Sequence, residues 1–524
     1  MIVWADRHLA ALQARLRPGD LLLPLTPRIS GSVPPGMRDR PAQPPFWSLV
    51  ATEDLDAADA VADAYLAELR LSPAGCADYD RTSLWHARRE YEFTRLVMRR
   101  ALGIFAPVQV VLPTESDGIA QGIQDACGEL GVDIERVPLD PEGITRARPP
   151  APLPPTALRI EASELLEVPR DWVLVLAIGL RDIHSILGDL RRDGRLIVVA
   201  MDETYSGDHE PLYALAAQLR TVRIAALWEA TSARFSELGD NSLYARDTEE
   251  ALRPFFAASP EKVVLSDVRR PDTVTCLRLA REHGTPISFR AHGGAPMRGP
   301  YRFSQEERRG TQNEVWTRIA AQNYGGDVRV RAPLRLRPGF FKSAARLALR
   351  AAKLPVGSPK IGFVVTTDTL HVAADCDINA VHAVFADIAR EAPESVTLIL
   401  RLRPLEESPA FWRSLAPERR NLRIELATDR SFAAFARACD LVVELGSESS
   451  TLLEAAANAV PYVRIGDARP SVTRLQRPTE LVPRLPSDSA WSALALLARR
   501  PMKRVRIALS QFRWLMHETS PTPD

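Results

Sequence analysis

The stretch DLVVELGSESSTLLEA, residues 440–455, contains the pattern that decides the fold. It begins with a short apolar run, reaches Gly446, passes through a loop rich in hydroxyl side chains and continues as a helical pattern. A buried strand that leads through a tight turn into a helix is the repeating unit of a parallel α/β sheet. The stretch therefore predicts one β-α step of such a sheet.

Strand and helix patterns of the same kind alternate on both sides of this stretch. Toward the C-terminus, the apolar runs predict strands over 361–366, 396–402, 422–426, 441–445 and 462–465, with helices over 378–391, 432–438 and 451–459. Upstream, they predict strands over 172–178, 196–201, 222–227, 262–265 and 286–289, with a helix over 271–283. This alternation is typical of parallel sheets covered by helices on both faces. The predicted fold class is α/β, with two tandem Rossmann-like doubly wound domains and a cleft between them.

Pro-rich segments mark the expected boundaries of these domains. Residues 1–150 contain one clear β-α-β pattern, over 108–137, and are expected to form part of, or to be appended to, the first Rossmann-like domain. That domain spans 151–332, a basic linker spans 333–359, the second Rossmann-like domain spans 360–490, and helices with a tail span 491–524.

The composition narrows the possible classes of function. With 67 basic and 66 acidic residues the net charge is +1, so no overall field attracts nucleic acid, and none is expected as a partner. No run approaches the ~20 apolar residues that span a bilayer, and no signal segment precedes Asp6, which predicts a cytoplasmic protein. Five scattered cysteines without a C-x-x-C pair suggest neither a disulfide framework nor a metal site. No G-x-G-x-x-G or Walker A motif occurs, so neither a dinucleotide cofactor nor any other cofactor is expected.

The hydroxyl-rich loop of the first stretch is the leading candidate for a binding site. Backbone N–H groups at a helix start, together with the side chains around them, form a cradle for a phosphate. The residues of this cradle are Gly446, Ser447, Ser449, Ser450 and Thr451. An alternative is simple helix capping, because Thr451 and Glu454 have the spacing of a capping box.

The same stretch resembles the donor-nucleotide segment of glycosyltransferases with two Rossmann-like domains, the GT-B architecture. The resemblance implies that the loop meets the donor phosphate and that Glu454 holds ribose hydroxyls. A second segment, TLILRLRPLE at 397–406, resembles the strand-His-Pro motif of capsule and surface-polysaccharide transferases and of CDP-glycerol glycerophosphotransferases. Arg403 occupies the position of the His and Arg401 precedes it. An arginine clamps a phosphate but cannot act as a general acid at neutral pH, so the prediction assigns both arginines to donor binding only.

A third segment, PISFRAHGGAPMR at 286–298, resembles the strand-His-Gly-x-Pro motif of the glycerophosphotransferases, with one extra residue before the Pro. His292 follows a strand on a glycine turn, and its ordinary pKa near 6.5 suits a general base toward an acceptor hydroxyl. Arg290 and Arg298 are predicted to bind the acceptor. Carboxylates that follow predicted strands are alternative bases or nucleophiles, and each is equally suited to capping a helix: Asp202, Glu203 and Asp267.

Basic residues concentrate between 290 and 350 and again between 499 and 513. A predicted amphipathic helix over 340–354 places its basic side chains on one face, which favours contact with the anionic inner face of a membrane. Together these features predict a metal-independent glycosyltransferase that moves a nucleotide-activated sugar to a bacterial surface-polysaccharide or glycolipid acceptor, with 151–332 on the acceptor side and 360–490 on the donor side. Three alternatives remain: a CDP-glycerol-type glycerophosphotransferase, a UDP-sugar 2-epimerase, and a non-catalytic nucleotide- or glycan-binding protein.

Overall fold

The fold is that of a computed structural model of the 524-residue chain. The structure describes residues 2–4, 22–24, 49, 52–71, 81–113, 118–137, 153–167, 171–176, 186–187, 190, 194–201, 209–227, 242–291, 303, 305, 307–324, 328–333, 336, 359–366, 378–402, 409–426, 431–446, 451–466 and 479–520. The chain divides into two compact units. Unit one comprises the described residues within 1–57, 91–144 and 335–518, and unit two those within 58–90, 145–334 and 519–524.

The first 144 residues contribute a parallel four-stranded sheet to unit one. Its strands are β1 (Ile2–Trp4), β2 (Leu22–Pro24), β3 (Gln109–Pro113) and β4 (Asp133–Val137), in the spatial order β2-β1-β3-β4. Helices in this part of the chain are α1 (Thr52–Leu71), α2 (Arg81–Phe105) and α3 (Gly118–Leu130). The predicted β-α-β pattern over 108–137 is confirmed. The sequence pattern gives no indication of β1 and β2, which have three residues each.

Unit two contains a parallel sheet of seven strands in the order β11-β10-β9-β8-β5-β6-β7. The strands are β5 (Val173–Leu176), β6 (Ile197–Met201), β7 (Val222–Ala226), β8 (Lys262–Ser266), β9 (Ile287–Arg290), β10 (Gln312–Val315) and β11 (Val328–Val330). The α-helices described along this segment are α4 (Ala162–Leu165), α5 (His209–Ala217), α6 (Ser242–Ala257), α7 (Pro271–Glu282) and α8 (Arg318–Tyr324). All five strands predicted between 172 and 289 are present. The helix predicted over 271–283 is also present, and Gly284 follows it at φ +64°.

The central strands β5 and β6 are apolar because both faces of the sheet are covered, as expected for parallel strands. Leu174, Val263 and Leu265 pack on one face with α6 and α7, whereas Val173 and Val199 pack on the other face with α5. Each face therefore has its own apolar core.

The C-terminal segment of unit one contains a parallel sheet of six strands in the order β14-β13-β12-β15-β16-β17. The strands are β12 (Lys360–Thr366), β13 (Thr397–Leu402), β14 (Leu422–Leu426), β15 (Leu441–Gly446), β16 (Tyr462–Ile465) and β17 (Arg484–Leu485). Its α-helices in the described residues are α9 (Ile378–Glu391), α10 (Pro409–Ser414), α11 (Phe432–Ala438), α12 (Thr451–Ala457), α13 (Ala490–Ala498) and α14 (Pro501–Thr519). Numbered from β12, the strand order is 3-2-1-4-5-6, the Rossmann order. The seven-stranded sheet has the same order with one strand added, so the predicted α/β fold with two doubly wound domains is confirmed.

The two faces of the six-stranded sheet differ in chemistry. The apolar face carries Phe363, Leu400, Val443 and their neighbours, which form the main core with α9, α10 and α13. On the opposite face Gly362 lies against α11, where a Cβ atom would come within 2.6 Å of Cys439 Sγ and 2.7 Å of Phe435 Cζ. The absence of a side chain at this position therefore allows α11 to approach the sheet.

Within the described part of the chain, no helix is long and apolar enough to cross a membrane. The amphipathic helix predicted over 340–354 lies outside the described residues.

Candidate functional site

The strand order of the six-stranded sheet creates a switch point between β12 and β15. From β12 the chain passes to β13 and β14 on one side, and then returns to β15 on the other side. The carboxyl ends of β12 and β15 are in register, with Thr366 beside Gly446. Ligands of doubly wound sheets bind outside the carboxyl ends of the strands at such a point. The hydroxyl-rich loop singled out in the sequence begins here.

Gly446 ends β15 at this switch point with a positive φ of 89°, which a glycine adopts without the steric cost of a side chain. Its carbonyl oxygen accepts a hydrogen bond from Nη2 of Arg464 at 3.0 Å. Arg464 lies on the adjacent strand β16 and is only 1% exposed. The start of the predicted donor loop is therefore fixed to the neighbouring strand by a buried guanidinium group.

Helix α12 begins at Thr451, as the pattern predicted. The Thr451 hydroxyl lies 2.7 Å from the Tyr462 hydroxyl, which connects the first turn of α12 to β16. Glu454 is half-buried, and its backbone carbonyl accepts hydrogen bonds from the backbone N–H and the side chain of Asn458. Buried Leu452 completes the packing of the first turn. The structure thus places Gly446, Thr451 and Glu454 on one strand-to-helix connection.

Four further residues of the predicted donor site lie outside the described residues: Arg403, Ser447, Ser449 and Ser450. Their assignment to the donor site remains a prediction.

A row of charged side chains crosses the face of the sheet on which α11 packs. The strand register places one residue of each strand in this row, in the order Glu425, Arg401, Val364, Glu444, Arg464 and Arg484. Arg401, Glu444 and Arg464 are at least 93% buried, whereas Glu425 is half-buried and Arg484 is exposed. Buried charges are costly unless opposite charges compensate them, and the row alternates acidic and basic residues over most of its width.

Glu444 lies two residues before the predicted phosphate-binding loop, where its negative charge would repel a phosphate. The row of charges explains why an acidic residue is present there. Glu444 is 2% exposed, and its register neighbour on β16 is Arg464. Two basic residues of the row are buried with it on the same face. The sequence contains the signal for this row, since every second residue of each predicted strand lies on one face. The order of the strands, which the sequence pattern does not give, is needed to recognise it.

Arg401, predicted to bind the donor, packs on the rings of α11. Its Cζ atom lies 5.5 Å from the ring centre of Phe435 and 5.9 Å from that of Phe432. Contacts of this kind stabilise a guanidinium that is partly removed from water. The structure therefore shows an internal role for Arg401, and its role toward a donor remains a prediction.

The second switch point, between β5 and β8 of the seven-stranded sheet, carries Asp267 directly after β8. Asp267 is 2% exposed, and Oδ2 accepts a hydrogen bond from the Tyr324 hydroxyl. The Arg308 guanidinium covers the Tyr324 ring at 3.9 Å from Cζ to the ring centre, and its Nη2 donates to the Tyr324 carbonyl at 3.0 Å. Asp267 thus has a partner inside unit two, and its role as a base remains a prediction.

Arg290, predicted to bind the acceptor, forms a buried ion pair across the sheet. Its Nε lies 2.5 Å from Oε2 of Glu314 on the adjacent strand β10, and both side chains are more than 90% buried. Nη1 of Arg331 lies 3.1 Å from the other carboxylate oxygen of Glu314. The guanidinium of Arg290 therefore has a structural partner, and acceptor binding by this residue remains a prediction.

The remaining predicted residues, His292, Arg298, Asp202 and Glu203, lie outside the described residues. His292 is two positions beyond the end of β9, and Asp202 directly follows β6, so both are adjacent in sequence to the carboxyl end of a strand. Among the described residues, no group of three or more His, Cys, Asp or Glu side chains is arranged to hold a metal ion.

Comparisons with known proteins reveal similarity at the level of solved structures. No protein-family model matches the chain. No curated protein sequence matches it either. Similar solved structures include MurG of Acinetobacter baumannii, 12% identical with a TM-score of 0.43, where the match covers 66% of this chain and 95% of that one. They also include UDP-GlcNAc 2-epimerase of Neisseria meningitidis bound to UDP-GlcNAc, 11% identical with a TM-score of 0.44, where the match covers 66% of this chain and 97% of that one.

A third similar structure is the glycosyltransferase SnogD of Streptomyces nogalater, which is 14% identical with a TM-score of 0.38, over 66% of this chain and 95% of that one. The similar solved structures thus include a glycosyltransferase and a UDP-GlcNAc 2-epimerase.

Proposed function

We propose that the chain is a glycosyltransferase that moves a sugar from a nucleotide-activated donor to a bacterial surface-polysaccharide or glycolipid acceptor. The observation that supports this proposal is the position of the hydroxyl-rich loop. The loop follows Gly446 at the switch point of a Rossmann-ordered sheet, where such sheets bind nucleotides. The sequence motif and the strand order therefore indicate the same place independently.

In the proposed donor site, the loop from Ser447 to Thr451 and Arg403 neutralise the phosphates of the donor. Negative charge develops on the nucleoside diphosphate as it leaves, so hydrogen-bond donors and cations held at this place lower the barrier. Glu454 holds the ribose hydroxyls. Because Arg403 keeps its charge at neutral pH, it stabilises the leaving group without donating a proton.

In the proposed acceptor site, His292 removes the proton of the attacking hydroxyl, and Arg298 orients the acceptor. A histidine with an ordinary pKa is a suitable base near neutral pH. Asp202, Glu203 and Asp267 are the alternatives for this role. Substitution of His292 by Ala is expected to reduce turnover by ~10²–10⁴-fold and to leave donor binding intact.

A thermal-shift screen with CMP, CDP, UDP and GDP tests the donor site. A ligand that binds only the folded state raises stability by about 2.7 kcal/mol at a hundredfold excess over Kd. Ser450→Ala is expected to weaken nucleotide binding and so to reduce the shift. The matched control is Ser431→Ala, since the Ser431 hydroxyl caps α11 by accepting from the Ala434 N–H at 3.3 Å. Equal shifts in the parent and Ser450→Ala would show that the loop only caps a helix.

Product analysis with radiolabelled donors tests the reaction. Transfer of the sugar to a glycan acceptor is the expected outcome. Conversion of the donor sugar without an acceptor would identify a 2-epimerase, and transfer of glycerol phosphate from CDP-glycerol would identify a glycerophosphotransferase. Nucleotide binding without turnover across the donor panel would identify a binding protein.

A further inference from the structure

The C-terminal helices of unit one carry an exposed surface of a single charge. Between Ser489 and His517 the sequence contains six basic residues and no acidic one. Arg504 is half-buried, and its Nη1 donates to the Ala498 carbonyl at the end of α13. The other five basic side chains are exposed and form what we call the basic surface: Arg499, Arg500, Lys503, Arg506 and Arg513.

Helix α14 presents this surface in a fixed orientation. Its opposite side buries Ala508, Phe512 and Leu515. The side chain of Gln511, fully buried, accepts from the Tyr462 N–H at 3.0 Å and donates to the Tyr462 carbonyl at 2.7 Å, which attaches the helix to β16. Lys503, Arg506 and Arg513 therefore project from a helix that is held by packing and by hydrogen bonds, and Arg499 and Arg500 directly precede it.

Exposed apolar side chains are also present on these two helices. Met502 is 58% exposed and Leu496 is 49% exposed, both among the most exposed large apolar residues of the described chain. Met502 lines a groove of about 760 Å³ together with apolar Leu481 and Ile507 and with Lys503 and Arg506, and the groove has a single carboxylate, that of Glu480. Basic groups surrounding exposed apolar groups are the combination that an interfacial helix presents to anionic lipid.

We propose that the basic surface, with Leu496 and Met502, docks on a membrane that contains anionic phospholipid. Its five positive charges complement negatively charged headgroups, and the two apolar side chains can enter the boundary between headgroups and acyl chains. Single-stranded RNA is a weaker match. Between Ser489 and His517 no aromatic side chain is fully exposed for bases to stack on, since Phe512 is buried and Trp491 and Trp514 are half-buried.

Co-sedimentation of the full chain with vesicles tests the proposal. Binding is expected with vesicles of phosphatidylcholine mixed with phosphatidylglycerol, and not with phosphatidylcholine alone. Each removed charge is expected to weaken binding by roughly fivefold, so Lys503→Glu/Arg506→Glu should weaken it by at least about 25-fold. The matched control is Arg420→Glu/Arg423→Glu, which reverses two exposed charges elsewhere in unit one and should leave binding unchanged. Leu496→Ser/Met502→Ser should remove the part of the binding that persists at high salt.

Melting temperatures identify any variant that unfolds, in which case Lys503→Gln/Arg506→Gln replaces the charge reversal. The proposal is overturned if the parent protein does not sediment with the anionic vesicles at low salt. It is also overturned if Lys503→Glu/Arg506→Glu and the control Arg420→Glu/Arg423→Glu weaken binding equally. It is also overturned if an RNA oligonucleotide binds more tightly than the vesicles with the same dependence on Lys503 and Arg506. None of these outcomes depends on nucleotide binding. A negative result would therefore reject membrane docking without bearing on the proposed transferase activity, which the thermal-shift and product assays test.

Discussion

Arg464 connects the interior of the six-stranded sheet to the start of the predicted donor loop. It is 1% exposed, its neighbour in the row is Glu444, and it donates to the Gly446 carbonyl at 3.0 Å. A hydrogen bond from a charged donor contributes more than one from a neutral donor, and it also fixes the direction of the strand end. At the scale of single residues, the row of charges therefore stabilises the sheet and positions the loop.

Substitution of Arg464 by Met tests this role. We expect the free energy of unfolding to fall by roughly 1.5–3 kcal/mol or more, because the Gly446 carbonyl loses a charged partner and Glu444 loses its neighbour. Urea denaturation measures the change. The control is Arg484→Met, which removes the exposed member of the same row and should cost less than about 0.5 kcal/mol. Equal effects of the two substitutions would contradict a special role for Arg464.

The buried thiol of Cys127 on α3 gives a second prediction at this scale. Burial raises the pKa of Cys127 from an ordinary value near 9 to about 11. Because the folded state holds the proton more tightly than the unfolded state, the thiol's contribution to stability is complete below about pH 9 and is lost as the pH rises toward 11. Urea midpoints measured at several pH values should fall less steeply over this interval in Cys127→Ala than in the parent. Parallel pH profiles would show that this thiol does not contribute.

At the scale of elements, the close approach of α11 to β12 depends on Gly362. A Cβ atom there would lie 2.6 Å from Cys439 Sγ and 2.7 Å from Phe435 Cζ, and Phe435 also lies under the Arg401 guanidinium. Such contacts are too short to persist, so α11 or the strand must move. Displacement of Phe435 would also disturb the packing of Arg401.

We therefore expect Gly362→Ala to destabilise unit one by about 1–3 kcal/mol through overpacking. Gly103→Ala is a suitable control, since Gly103 lies inside helix α2 with open space where a Cβ atom would stand, and a helical alanine is favoured by roughly 0.5–1 kcal/mol. Thermal denaturation should thus shift in opposite directions for the two variants. A melting temperature of Gly362→Ala equal to or above that of the parent would mean that the helix–strand spacing adapts.

Elements of the two Rossmann-ordered sheets with a clear apolar pattern are predicted correctly, whereas the long helices α1 and α2 are not predicted. β14 and β16 and helices α9 and α11 have the predicted bounds, because the spacing of their apolar residues follows the face that is buried. β10 does not follow this rule. Its sequence is QNEV, and the burial of Glu314 depends on Arg290 and Arg331, which are distant in the sequence. A polar strand that is stabilised by such partners lacks the apolar run from which a buried strand is predicted.

Only part of the candidate site could be predicted from the sequence. The turn at Gly446 and the helix start at Thr451 follow from local chemistry, and the structure places both at a switch point. The contacts of Arg290, Arg401 and Asp267 could not be predicted, since each depends on which strands and helices become neighbours. A charged residue at the end of a strand suits a ligand and an internal partner equally well until the strand order is known.

At the scale of the whole molecule, the proposed donor site belongs to unit one. We expect UDP, or the nucleotide that gives the largest thermal shift, to slow amide hydrogen exchange in peptides that cover the ends of β12 and β15 and the start of α12. Ligands protect the backbone that they contact and the elements that they stabilise. Peptides from the seven-stranded sheet of unit two serve as the internal control. Protection confined to the ends of β5 and β8 would assign the nucleotide to unit two instead.

The discontinuity of unit one has a consequence for synthesis of the chain on the ribosome. The strands β1 to β4 are made early, but the six-stranded sheet of the same unit begins only at Lys360, after all seven strands of unit two. At ordinary translation rates, residues 145–334 alone take roughly 10–40 s to emerge. The N-terminal sheet is therefore made before the seven-stranded sheet of unit two, and the six-stranded sheet of unit one is made after it, so the order of synthesis does not follow the division of the chain into units.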